Sequence, residues 1–146
     1  MTPFRAGIVA EARRWIGTPY RHQASVCGAG CDCLGLVRGV WRGLYVVEPE
    51  APPPYTRDWA EAHGRETLAE AAGRHMAPVA PADAQPGDVL LFVMADGSPA
   101  KHCAIMSPDG RMIHAVENHP VAEVTMGPWW RKRTRFAFAF PEARPE

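Results

Sequence analysis

At 146 residues, with 47% apolar and 22% charged residues, the chain suits one folded domain built around a single core. Its 16 basic side chains balance its 16 acidic ones, which gives no support to bulk binding of nucleic acid. No uninterrupted apolar stretch of signal-peptide or membrane-spanning length occurs, either elsewhere or at the N-terminus, where Arg5 and Glu11 interrupt it; the expectation is cytoplasmic synthesis without a cleaved signal.

In chain order, Phe4, Ile8, Ala12 and Trp15 recur at helical spacing and predict an amphipathic helix ending near Gly17. A loop rich in small residues follows Pro19. From Cys33 the spacing of Leu36, Val37, Val40, Trp41 and Leu44 predicts a second, largely buried helix. Residues 48–56 carry four prolines and read as a connector, because each proline removes an amide donor and restricts the residue before it. A third helix is expected over Glu66 to Gly73, and then the period changes. Val89 to Met94 is a continuous apolar run, as in a strand covered on both faces. His102 to Met106 and Arg111 to Val116 flank Ser107-Pro108-Asp109-Gly110, a hairpin signal, and Phe136 to Phe140 alternates at period two. Helices first and antiparallel strands afterwards imply an α+β domain over residues 1–146.

Of the cysteines Cys27, Cys31, Cys33 and Cys103, three crowd into one short stretch, which is poor spacing for a disulfide framework. Reduced thiols are expected. Cys33 sits after Asp32, a good N-cap residue, so it would open the second helix and face unpaired amide donors at the positive end of the helix dipole. That setting lowers a thiol pKa, and the thiolate is the nucleophile. The Cys33 amide would stand where an oxyanion needs a donor. With a hairpin loop of about three residues near 107–109, His102 falls opposite His114 or one residue away, and the even-numbered residues of both strands share a face. A thiol, an imidazole and a second polar ring in that order are the nucleophile, base and orienting group of a thiol hydrolase; His102 is the expected base and His114 the orienter.

At these residues the sequence resembles the NlpC-type family of papain-like cell-wall peptidases. The matching positions are Tyr20, Asp32-Cys33-Leu34-Gly35-Leu36-Val37, Pro86-Gly87-Asp88, His102 and His114, spread over residues 12–117. The resemblance implies a papain-like NlpC-type fold with N-terminal helices packed on an antiparallel sheet. It also implies Cys33 as nucleophile, His102 as general base and acid, His114 as third member, and Tyr20 and Asp32 beside the substrate or oxyanion. The implied substrate is a peptidoglycan stem peptide, cut next to D-glutamate and diaminopimelate, without cofactor or metal. The stretch Gly17-Thr18-Pro19-Tyr20-Arg21-His22-Gln23-Ala24-Ser25, with Cys31 before Asp32, is most similar to the branch found in phages and gene transfer agents. It implies phage-like tail proteins as partners and a place in a particle tail, acting on the cell wall. Two departures stand out: Leu34 replaces a serine common in the family, and Cys27 and Cys31 crowd the nucleophile.

Other readings use the same residues. The trio would equally serve an amidase or acyltransferase, since thiolate and imidazole do not choose their acyl group. A catalytically silent tail-assembly or wall-binding module is a third reading. Cys27, Cys31 and Cys33 could hold zinc with a histidine. Cys103 alternates away from His102 and reads as core. His22, His63, His75 and His119 read as solvated singletons, residues 131–135 as an exposed approach to a strand, and Trp129-Trp130 as core cover or a stacking surface.

Overall fold

The computed structural model describes residues 1–50 and 66–142. Helix α1, Pro3–Arg13, starts where Thr2 accepts a hydrogen bond from the Arg5 amide and proline occupies its first turn. It buries Ile8, Val9 and Ala12. A two-stranded hairpin follows, β1 at Ser25–Val26 and β2 at Gly30–Cys31, paired antiparallel. Strands this short carry no periodicity that a sequence reading could find. Helix α2, Cys33–Tyr45, begins at Asp32 and buries Leu36, Val37, Val40 and Trp41, as their spacing predicts. Its glycines are positions of close approach. A Cβ at Gly39 would lie 1.9 Å from the Trp15 ring, and one at Gly35 would lie 1.9 Å from the Ala24 carbonyl oxygen, so the turn just after α1 and the loop before β1 press directly on the helix backbone.

Residues 51–56 of the expected connector lie outside the described residues. Helix α3, Thr67–His75, follows close to its expected place, and then β3, Ala77–Val79, opens the main sheet. The remaining elements are β4 (Val89–Phe92), β5 (His102–Ser107), β6 (Arg111–His114), β7 (Ala122–Thr125), the single helical turn α4 (Pro128–Arg131) and β8 (Thr134–Ala139). The sheet runs β3-β8-β4-β5-β6-β7, and each neighbouring pair is antiparallel.

All of β4 is buried, because both faces of the sheet are covered. On one face Val89, Leu91, Cys103, Ile105 and Ile113 join α1 and α2 in the larger core. On the other, Leu90, Phe92, Ala104 and Met112 form a second cluster with Met126 and Trp130. Asp88, at the entrance to β4, is buried yet paired: Arg5 donates to it at 2.7 Å and the Gln85 amide at 2.8 Å. That ion pair ties α1 to the sheet.

The β5–β6 hairpin pairs Ser107 with Arg111 and Ile105 with Ile113. Its loop is therefore Pro108 to Gly110, one residue later than the sequence pattern predicts. Carried one step further, this register sets His114 across from Ala104 rather than from His102. Because a shift of the loop by one residue moves the pairing by two, the two histidines still share a face and meet on the diagonal. Asp109 and Gly110 both take positive φ, 64° and 68°, which is what holds the turn in this place.

Candidate active site

Two regular elements converge on the site, the N-terminus of α2 and the start of the β5–β6 hairpin. Asp32 is buried, and both carboxylate oxygens are used: Oδ1 accepts from the Gly35 amide at 2.7 Å and Oδ2 from the Gln23 amide at 2.7 Å. One side chain thereby caps the helix and fastens the preceding loop to it. Cys33 is the first residue of the helix. Its sulfur reaches the beginning of β5, where it lies 4.0 Å from the Lys101 carbonyl oxygen and is acted on by the Cys103 thiol and the His102 ring.

These contacts hold the Cys33 thiol well below its ordinary pKa. The Cys103 hydrogen bond contributes most, burial opposes it, and the His102 hydrogen bond and charge add to the lowering, while the Asp32 charge opposes. Cys103 moves the other way, well up, because it is the buried donor to the Cys33 sulfur. Burial and the neighbouring Asp32 push Cys31 up to about 12, so Cys33 is the sulfur favoured as an anion in this stretch. All four cysteines are free thiols, Cys27 exposed and Cys31 and Cys103 buried. Among the described residues no group of three or more His, Cys, Asp or Glu side chains is arranged to hold a metal ion.

His102 Nε2 and His114 Nδ1 are 3.0 Å apart. With Nε2 so engaged, Nδ1 is the ring nitrogen left to face sulfur. His114 is pushed down to about 4, by burial first and by the His102 charge second. It is therefore an uncharged imidazole at neutral pH, and its Nδ1 can accept the His102 Nε2–H.

Tyr20 forms a parallel bridge with Cys31 and stands beside a cavity of about 740 Å³, lined by Pro19, Tyr20, Arg21 and His22 on one side and by Glu117 to Pro120 on the other. His22 and His119, expected as solvated singletons, both line this cavity; His119 is exposed, and His22 is half-buried with its Nδ1 4.0 Å from an Asp32 carboxylate oxygen. His75 pairs with Glu50 at 2.8 Å, and His63 lies outside the described residues. Cys103 is core, as its alternation implies, yet its thiol also touches the nucleophile candidate. The signal for that contact was its place directly after His102, on the strand face that α2 covers.

Fold and site together define a class: an α+β, papain-like domain in which a thiol at a helix start meets a histidine from an antiparallel hairpin. The sequence profile of the NlpC/P60 family matches residues 17–138, and the chain belongs to that family. A probable endopeptidase of Mycobacterium tuberculosis is 33% identical over 111 residues, 76% of this chain and 23% of that protein. The gamma-DL-glutamyl hydrolase of Bacillus subtilis is 30% identical over 117 residues, 78% of this chain and 24% of the other. The chain thus spans about a quarter of the length of these curated relatives. Among solved structures, the NlpC/p60 domain of the peptidoglycan hydrolase SagA matches with a TM-score of 0.65 and 26% identity, over 93% of this chain and 98% of that one. The peptidoglycan hydrolase RipB of Mycobacterium tuberculosis has the same fold, with a TM-score of 0.63 and 19% identity over 96% of this chain and 66% of that one. No helix among the described residues is long and apolar enough to cross a membrane.

Proposed function

We propose that the chain is a cysteine endopeptidase that hydrolyses peptidoglycan stem peptides through a Cys33 acyl-enzyme. The observation that carries this reading is the convergence of the Cys33 sulfur, the His102 ring and His114 on one point of an NlpC/P60 domain.

The Cys33 thiolate attacks the scissile carbonyl carbon, and negative charge develops on the carbonyl oxygen. The Cys33 amide, at the start of α2, faces that charge together with the helix dipole. As the tetrahedral intermediate collapses, His102 gives its Nδ1 proton to the leaving amine. A water molecule then attacks the thioester, His102 takes a proton from it, and the acid leaves with the thiolate restored. Throughout, His114 accepts the His102 Nε2–H bond and fixes the plane and tautomer of the ring. Tyr20, which lines the cavity, is assigned by the family resemblance to a place beside the substrate or oxyanion, and Asp32 holds the helix start and the Gln23 loop in place.

The bond cut is of the D-glutamyl-diaminopimelate type. A relative named for gamma-DL-glutamyl hydrolysis supports cleavage beside D-glutamate, and the cavity between Tyr20 and Glu117, lined by both cationic and anionic side chains, suits a peptide carrying charges of both signs. The chain acts as a component of a phage-like tail that opens the wall; the resemblance of residues 17–25 and of Cys31-Asp32 to the phage and gene-transfer-agent branch supports this part.

Digestion of defined muropeptides, read by mass spectrometry, tests the reading. Cleavage at the D-glutamyl-diaminopimelate bond by the wild type and none by Cys33→Ala is the expected result, whereas turnover by Cys33→Ala equal to wild type overturns it. Products of acyl transfer instead of hydrolysis would identify an acyltransferase. Mass analysis of purified tail particles from a producing strain tests the tail assignment.

A further inference from the structure

Trp130 touches none of the attacking atoms, yet it lies against both histidines. Its ring centroid is 5.1 Å from that of His114 with the planes at 88°, and 5.4 Å from that of His102 at 34°. It also meets Phe92 edge-on at 5.1 Å, and Phe92 in turn lies 5.8 Å from His102, so the indole closes a cluster of rings over the imidazole pair on this face of the sheet. The adjacent Trp129 has the opposite fate: it is 48% exposed and carries the Arg133 guanidinium 3.7 Å above its ring. The sequence offered core cover or a stacking surface for this pair; the structure divides the two roles between them.

A histidine that accepts from another histidine must stay uncharged. Once protonated it has two donors and no acceptor, and the His102–His114 bond becomes a repulsive contact. Among the described residues the partner at His102 Nε2 is an imidazole and not a carboxylate, so the surroundings of His114 must keep the proton off. We propose that Trp130 is a positioning residue of this site: its indole walls the histidine pair, keeping His114 dry and edge-on as the uncharged acceptor of the His102 Nε2–H bond.

The charges on neighbouring elements are directed elsewhere. From β5 the ionisable group facing His114 is His102 itself. On β6 Arg111 donates to the Glu123 carbonyl oxygen, and on β7 the Glu123 carboxylate is held by Arg13 at 3.0 Å. On α4 Arg131 reaches toward Gly110, and Arg133, just beyond, is stacked on Trp129. Glu117 and His119 follow on the cavity wall. Burial is thus the first influence on His114 and the His102 charge the second, and the indole, 5.1 Å from the His114 ring, is one of the groups that bury it.

The kinetic part of this inference rests on His102 being the base, whereas the spectroscopic part does not. In the full chain, imidazole nitrogen NMR would follow the titration of His114 in the wild type, Trp130→Leu and Trp130→Phe, alongside kcat and KM on a muropeptide from pH 4 to 8. The wild-type midpoint should lie near 4. Trp130→Leu should move it up toward the ordinary value of about 6.5, and below that pH should lower kcat about tenfold or more, with KM within about twofold. Trp130→Phe should restore most of both. A wild-type midpoint already near 6.5, or a Trp130→Leu midpoint and pH–rate profile unchanged from wild type, would overturn the proposal. A shifted midpoint in a chain with no peptidase activity would uphold the placement of Trp130 and end the peptidase reading instead.

Discussion

The two halves of the candidate site are built in different ways. The half that bears Cys33, His102 and His114 stands on a helix start and a hairpin, whose hydrogen bonds fix the backbone to within one register. The half that faces the cavity is loop on both sides, residues 19–24 and 117–120, and it holds non-glycine residues in left-handed backbone, Gln23 at φ 66° and Asn118 at φ 69°. Chemistry that needs atoms placed to within about half an ångström stands on regular elements, while selection of a ligand is left to segments that can vary. A single carboxylate joins the halves, since Asp32 caps α2 with one oxygen and holds the Gln23 amide with the other.

Substitutions should therefore separate the halves, in turnover on one side and in binding on the other. The largest effect belongs to Cys33→Ala, which should reduce hydrolysis by at least about 10³-fold with an unchanged urea midpoint, because the helix cap is intact. His102→Ala should cost about 10²–10⁴-fold in kcat. His114→Ala should cost less, about 10–100-fold, and His114→Gln, which keeps an acceptor, should recover part of it in the same assay; a His114→Ala enzyme at full speed would break the relay.

Cys103→Val removes the donor that lowers the Cys33 pKa most without emptying the core position. The thiolate is then less favoured, so the pH dependence of Cys33 alkylation should shift upward and the rate at pH 6 should fall by about tenfold, while the rate above pH 9 changes little. Asp32→Ala strikes the joint between the halves. Two amides lose their acceptor, and denaturant unfolding should show a loss of about 1–3 kcal/mol, with kcat and KM both worse. The smallest effect should come from Asn118→Val, a β-branched residue forced into positive φ. It should raise KM severalfold on a muropeptide and leave kcat within about twofold; a kcat loss as large as that of His114→Ala would show that the cavity wall is not separable from the chemistry.

What could be read from the sequence follows the same division. Cys33 at a helix start after Asp32 was legible because an N-cap residue and an apolar helical period meet there. The shared face of His102 and His114 was legible because strand alternation survives a one-residue error in the loop. The irregular half left weaker marks. Nothing in residues 17–25 or 117–120 has a period, and the short strands β1, β2, β3 and β7 and the turn α4 form because the sheet and helices around them supply partners. The contact of Cys103 with the Cys33 sulfur and the packing of Trp130 on the histidines depend on which elements cover each face of the sheet, a tertiary fact that alternation alone does not carry.

The most direct test of the account is the rate of Cys33 alkylation by iodoacetamide as a function of pH, read by peptide mass spectrometry in the wild type and in His102→Ala. A sulfur held as an anion by the hairpin should label selectively at mildly acidic pH, ahead of exposed Cys27, with a midpoint well below the ordinary thiol value of about 8.5 that rises when His102 is removed. A Cys33 that labels no faster than the other thiols, with an ordinary midpoint indifferent to His102, would contradict it.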